Sequence, residues 1–180
     1  MIGDLDVARW RLRSQHLVRP FAGPERWHDH LEAPMQEGTP GSQLENMRVL
    51  VGTWTTEGAH PLLAAAAIHG RATFEWLEGE RFLIQRSHYD HPEIPDAIAI
   101  TGVTDDRLSM HYFDYRGVYR VYSVSMSPDT WRFSLDAPGF SQRFTGTLSD
   151  GGNTITGRGQ LSRDGVSWED DLALTYRKVD

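Results

Sequence analysis

Residues 107–126, RLSMHYFDYRGVYRVYSVSM, read as two short strands broken at Arg116-Gly117. Side chains alternate polar and apolar on both sides of the break, the period-2 pattern of a strand, and Arg-Gly supplies a tight turn. The same unit recurs in both directions along the chain. Strands are predicted at 52–59, 68–77, 80–90, 96–104, 107–114, 117–126, 129–136, 140–149, 153–162 and 166–178. Between them stand turn residues such as Asp105-Asp106, Pro128-Asp129, Pro138-Gly139, Asp150-Gly151-Gly152 and Arg163-Asp164-Gly165. Almost every separator is short enough for a hairpin; only 60–67 is longer, with room for a helical turn or lid.

Hairpin-linked strands without intervening helices cannot make a parallel sheet. An open sheet of ten strands leaves unpaired edges, so closure is favoured. The expected class is mainly β: a roughly ten-stranded antiparallel up-and-down barrel with an N-terminal helical arm, a β-sandwich being the alternative. A barrel of that strand number encloses more room than its own side chains fill, so a cavity is expected.

Ahead of the barrel (residues 42–180), residues 1–41 form an arm and connector. Residues 4–18 read as a helix with Leu5, Ala8 and Leu12 on one face, stopped by Pro20. Ser42 and Glu45 suggest a capping box opening a short helix that ends near Gly52. The segment 7–17, VARWRLRSQHL, faintly resembles the first helix of winged-helix DNA-glycosylase-like proteins, and nothing like the rest of that domain follows.

Composition narrows the function classes. The 180 residues carry a formal charge of −7 and no cysteine, which excludes disulfides, thiolate metal sites and Cys nucleophiles. The main domain is acidic, which argues against a nucleic-acid partner. No apolar run is long enough for a membrane span, and no export signal is visible, so no membrane partner and a cytoplasmic location are expected.

The helix running into Leu50-Val51-Gly52-Thr53-Trp54 resembles the entry of calycin-type barrels: lipocalins, fatty-acid-binding proteins and nitrobindins. The wider layout is similar to a DUF1579-like group of uncharacterised bacterial proteins. That likeness rests on LVGTW, FEWLEGERFLIQRS, HYFDYRGVYRVY, APGFSQRFTG and DGVSWEDDLALTYRKV, over about residues 48–179. It implies fold far more than function. Nitrobindins hold heme through a His on a late strand; Trp168 to Lys178 contains none, which turns the expectation from heme towards an organic ligand and no cofactor.

Without cysteine, chemistry falls to His, carboxylates, Tyr and Arg. Glu75 and Arg86 face each other across a hairpin, either orienting an anionic ligand or forming an ordinary surface pair. His88, with Asp90 and His91, offers imidazoles at a strand end, but too few converging ligands for a metal, and none is expected. His111 beside Tyr119, with Arg86 or Arg143 across the lumen, is the candidate catalytic or hydrogen-bonding cluster. Trp131, Phe133, Phe140, Phe144 and Trp168 are core or cavity lining. The ligand-binding set expected is therefore Glu75, Arg86, His88, His111, Tyr119, Trp131, Arg143 and Phe144, around a small hydrophobic or aromatic molecule. Three functions follow: a binding protein; an enzyme (cyclase, isomerase or hydrolase) with His111 as base and Tyr119 or Arg86 stabilising an oxyanion; and an interaction module forming a homodimer through the arm.

Overall fold

The computed structural model describes residues 38–63 and 67–179; the arm helix expected at 4–18 lies outside them. Helix α1 (Pro40–Asn46) and a 3-10 turn (Met47–Leu50) lead into ten strands: β1 (Gly52–Ala59), β2 (Ile68–Trp76), β3 (Phe82–Tyr89), β4 (Ala97–Thr104), β5 (Arg107–Asp114), β6 (Tyr119–Met126), β7 (Thr130–Ala137), β8 (Phe140–Ser149), β9 (Thr154–Ser162) and β10 (Trp168–Val179). All neighbours pair antiparallel, and β1 closes on β10 from Thr53↔Val179 to Ala59↔Ala173. Closure removes both edges, which excludes the sandwich. Turn chemistry fits the hairpins: Asp105 and Asp106 both adopt positive φ, as a two-residue type I′ connection requires.

The helix begins earlier than the capping-box reading placed it. Thr39 is the N-cap, its Oγ1 accepting from the Ser42 N–H at 3.3 Å, while Ser42 Oγ donates back to the Thr39 carbonyl at 2.9 Å. Pro40 decides this, because its fixed φ and missing N–H suit the first helical position.

Helix α1 and the 3-10 turn plug one end of the barrel. Met47, Leu50 and Trp54 are buried there, with the Trp54 indole N–H donating to the Leu50 carbonyl at 2.7 Å. A fully buried Leu such as Leu50 contributes about 1.5–3 kcal/mol. Gln43 and Asn46 pin the helix to β6: Gln43 Oε1 accepts from the Met126 N–H at 3.2 Å, and Asn46 Nδ2 donates to the Met126 carbonyl at 3.3 Å. Odd-numbered strands run away from this plug, so the turns after β1, β3, β5, β7 and β9 gather at the opposite end.

One irregularity sits near that opposite end. On β10 the ladder with β9 shifts register between Asp170 and Ala173, leaving Asp171 and Leu172 opposite Gly159. Two residues against one is a β-bulge. Gly159 permits it, because a Cβ there would stand 2.6 Å from the Leu172 carbonyl oxygen.

Candidate functional site

Between the plug and the far turns lies a cavity of about 160 Å³. Its floor is aromatic. Trp131, itself only 1% exposed, packs beneath against Phe133, Phe144 and Tyr176, at ring-centroid distances of 5.5, 5.4 and 6.3 Å. Phe133 and Phe144 stack nearly parallel at 4.8 Å and 12°. The Phe144 ring has room because of Gly157, where a Cβ would come within 2.3 Å of it. Met110, Leu172, Leu174 and Ala99 complete the apolar wall.

Across that wall runs a chain of polar side chains. The β10 bulge presents Asp171, a buried residue, towards the end of β1 and the start of β8. His60 Nδ1 accepts from the Leu62 N–H at 3.1 Å, which leaves Nε2 to donate to Asp171 Oδ1 at 3.0 Å. Gln142 Nε2 donates to Asp171 Oδ2 at 2.7 Å, while its Oε1 accepts from Tyr122 Oη at 2.6 Å and from Arg120 Nη1 at 3.3 Å. The order is thus His60–Asp171–Gln142, branching to Tyr122 and Arg120. On β5, Tyr112 donates to Asp114, which also holds the Arg116 guanidinium at 2.6 Å and the backbone N–H groups of Arg116 and Val118. On β3, Gln85 donates to Ser87 at 3.0 Å.

Burial raises the Asp171 carboxyl, but hydrogen bonds from His60 and Gln142 outweigh it and hold the group below its ordinary value. The cavity phenols move the other way. Burial pushes Tyr89 up to about 12, takes Tyr112 and Tyr176 well above the usual value, and raises Tyr122 too. All four therefore stay protonated donors at neutral pH, and none is a phenolate base.

The expected site residues divide between this cavity and the outer wall. Phe144 lines the cavity, and Trp131 lies one layer beneath it. Arg143 touches the cavity wall, but its guanidinium stacks over Trp168 at 4.0 Å and its Nε donates to Gln160 on the outer face. Glu75, Arg86, His88, His111 and Tyr119 do not line the cavity. Glu75 and Arg86 pair on the surface, half exposed, and His88 pairs with Asp96 at 2.7 Å, also exposed. His111 and Tyr119 do share a hydrogen bond of 3.0 Å, but on the outside, with Tyr119 49% exposed and stacked on Phe113. Strand parity is the reason. On β5 and β6 the inward set is Met110, Tyr112, Arg120 and Tyr122, so their immediate neighbours point out.

The sequence reading passed over His60, Arg120, Gln142 and Asp171 as site residues. His60 lies just past a strand end, and Asp171 sits where the bulge breaks alternation. Gly159 opposite an Asp-Asp-Leu run was the available signal.

Fold and cavity together define a closed, calycin-like ten-stranded barrel with a polar network inside an apolar end chamber. Among solved structures the chain is similar to Rv2717c from M. tuberculosis, at 15% identity and a TM-score of 0.56, over 77% of this chain and 98% of that one. A weaker likeness, with TM-score 0.44 and 10% identity over 82% of this chain and 98% of the other, is to the S-type phycobiliprotein lyase CPES from Guillardia theta. At these identities the first likeness speaks to fold alone. No protein-family model and no curated protein matches the chain. Among the described residues, no helix is long and apolar enough to cross a membrane, and no cluster of three or more His, Asp or Glu side chains could hold a metal.

Proposed function

We propose that this barrel binds a small, partly apolar organic molecule in its end cavity. The observation that carries the reading is the hydrogen-bonded run His60–Asp171–Gln142–Tyr122/Arg120 crossing a mainly apolar wall. Ligand pockets combine a mainly apolar lining with a few placed polar groups in this way. A packed core has no use for an ordered polar chain beside open volume. The DUF1579-like resemblance of the sequence is compatible with this reading and adds no chemistry to it.

Binding is favoured over catalysis by the state of the cavity imidazole. A general base needs a nitrogen free to reach substrate, whereas both ring nitrogens of His60 are engaged, one by Leu62 and one by Asp171. The enzyme alternative through His111 and Tyr119 has its pair on the outer wall. Heme does not fit by the same measure: β10 carries no His, and ligation by His60 would cost it one of those two bonds.

Native mass spectrometry of freshly purified protein, with thermal-shift screening against aromatic and aliphatic acids, amides and alcohols, tests the proposal. A retained small molecule, or stabilisation by about 2 °C or more at millimolar ligand, is the expected result. A ligand-free mass together with no stabilisation across the panel would overturn it.

A further inference from the structure

The charges around the cavity are unequally satisfied. Asp171 accepts from His60 and from Gln142. Arg116 is committed to Asp114, at 2.6 Å and 3.1 Å. The Arg143 guanidinium is turned onto Trp168. Arg120 differs from all of these. Its Nη1 donates to Gln142 Oε1 at 3.3 Å and to Tyr122 Oη at 3.4 Å, both neutral groups, and no carboxylate pairs with it among the described residues. The edge formed by Nε and Nη2 carries no protein acceptor there. The Phe140 ring lies 4.5 Å from the guanidinium carbon, a cation–π contact on one face.

A guanidinium with one long edge open can receive two oxygens at once. That edge matches the spacing of a carboxylate, and fork-to-fork pairing is the strongest hydrogen-bonded contact Arg makes. The rest of the chamber limits what can carry the carboxylate. Phe133 and Phe144 form a stacked pair, Trp131 closes the floor, and the plug residues Met47, Leu50 and Trp54 occupy the barrel below. A volume of about 160 Å³ takes a ring system, since an apolar cavity of roughly this size accepts benzene, and it is too small to bury a long acyl chain whole.

We infer that the cavity ligand is a compact aromatic carboxylate, its carboxylate received by the open edge of Arg120 and its ring laid against Phe133 and Phe144. This deepens the binding reading above and rests on it. The polar chain behind Arg120 serves orientation: Gln142 cannot turn its amide without losing either Asp171 or Tyr122, so the Arg120 Nη1 bonds are fixed before the ligand arrives.

Isothermal titration calorimetry on the full chain tests it with three compounds: naphthalene carboxylate, the matching naphthalene carboxamide, and decanoate. The carboxylate is expected to bind roughly tenfold or more tightly than the isosteric amide, with decanoate weaker than the carboxylate. Arg120→Gln should erase the preference for carboxylate while keeping amide binding, and Arg120→Lys, which keeps charge but lacks the fork, should retain part of it. Arg86→Gln, on the outer wall, should leave the preference intact. Equal affinity for acid and amide in the parent protein, a preference that survives Arg120→Gln, or tighter binding of decanoate would overturn the inference while leaving a binding cavity standing. Binding of none of the three compounds would overturn the inference as well; the binding reading itself falls only with a ligand-free mass and no stabilisation across the wider panel.

Discussion

Asp171→Asn isolates what the buried carboxylate does, because the substitution preserves shape and removes only one acceptor and the charge. Two donors converge on Asp171: His60 Nε2 on Oδ1 and Gln142 Nε2 on Oδ2. An Asn amide must aim its NH2 at one of them. His60 cannot change tautomer to accept it without abandoning the Leu62 N–H, and Gln142 cannot flip without abandoning Tyr122. One charge-assisted bond is therefore lost and two donors are left facing each other. Each of those costs about 1–3 kcal/mol, so a loss of about 3 kcal/mol is expected. For a chain of this size that corresponds to a fall in Tm of about 6–12 °C. The pH dependence supplies a second readout. The folded-state carboxyl titrates below its ordinary value of 3.8, so the unfolded chain binds the proton more tightly. The stabilisation is complete at neutral pH and is lost as pH falls through the folded-state value. Urea unfolding of parent and variant between pH 7 and pH 3 should show the gap narrowing below about pH 4. A fall in Tm of less than about 2 °C at pH 7, or a gap that widens on acidification, would refute the directional locking of the network.

Four further outcomes follow from the geometry. His111→Ala and Tyr119→Phe, on the outer wall, should each change stability by no more than about 0.5 kcal/mol and leave ligand affinity within about twofold, as measured by thermal unfolding and titration. Gly157→Ala places a methyl group 2.3 Å from the Phe144 ring, which should cost about 1–3 kcal/mol in chemical denaturation and reduce the usable cavity. Phe144→Ala removes the stacked wall; it should cost about 3–5 kcal/mol and weaken aromatic ligands more than aliphatic ones of similar size. Trp54→Phe deletes the indole bond to Leu50 and part of the plug, so it should lower stability by about 1–2 kcal/mol without changing affinity at the opposite end.

Strand positions were legible in the sequence to within two or three residues. The reading 117–126 compares with Tyr119–Met126, 80–90 with Phe82–Tyr89, and 166–178 with Trp168–Val179. Two local signals agreed at each boundary: alternation of side-chain type, and a Gly, Pro or Asp turn with backbone requirements of its own. Which face looks inward was not legible. On β5, His111 and Phe113 make as plausible an interior as Met110 and Tyr112, and on β6 the pair Tyr119–Val121 resembles Arg120–Tyr122 in mixed polarity. Period-2 reasoning gives two sets and no sign, and a cavity lined by Arg, Tyr and Gln removes the polarity contrast that would supply one. Sequence alone therefore lets the His111–Tyr119 pair face the lumen, whereas the structure sets it on the outer face. Bringing His60 beside Asp171 depends on contact across 111 residues of chain, which no local pattern encodes.

The supernumerary residue on β10 gives the interior a composition that strict alternation forbids. A regular strand lends every second side chain to the lumen, so an apolar interior stripe and an interior acid compete for the same positions. By setting Asp171 and Leu172 together against Gly159, the strand adds an acid without surrendering a hydrophobe. Polarity inside this barrel is thus adjustable by insertion or deletion at one point, with the pairing of the remaining nine strands untouched. Relatives that share the ladder but differ in length at this point would differ in what they hold before any cavity residue is substituted.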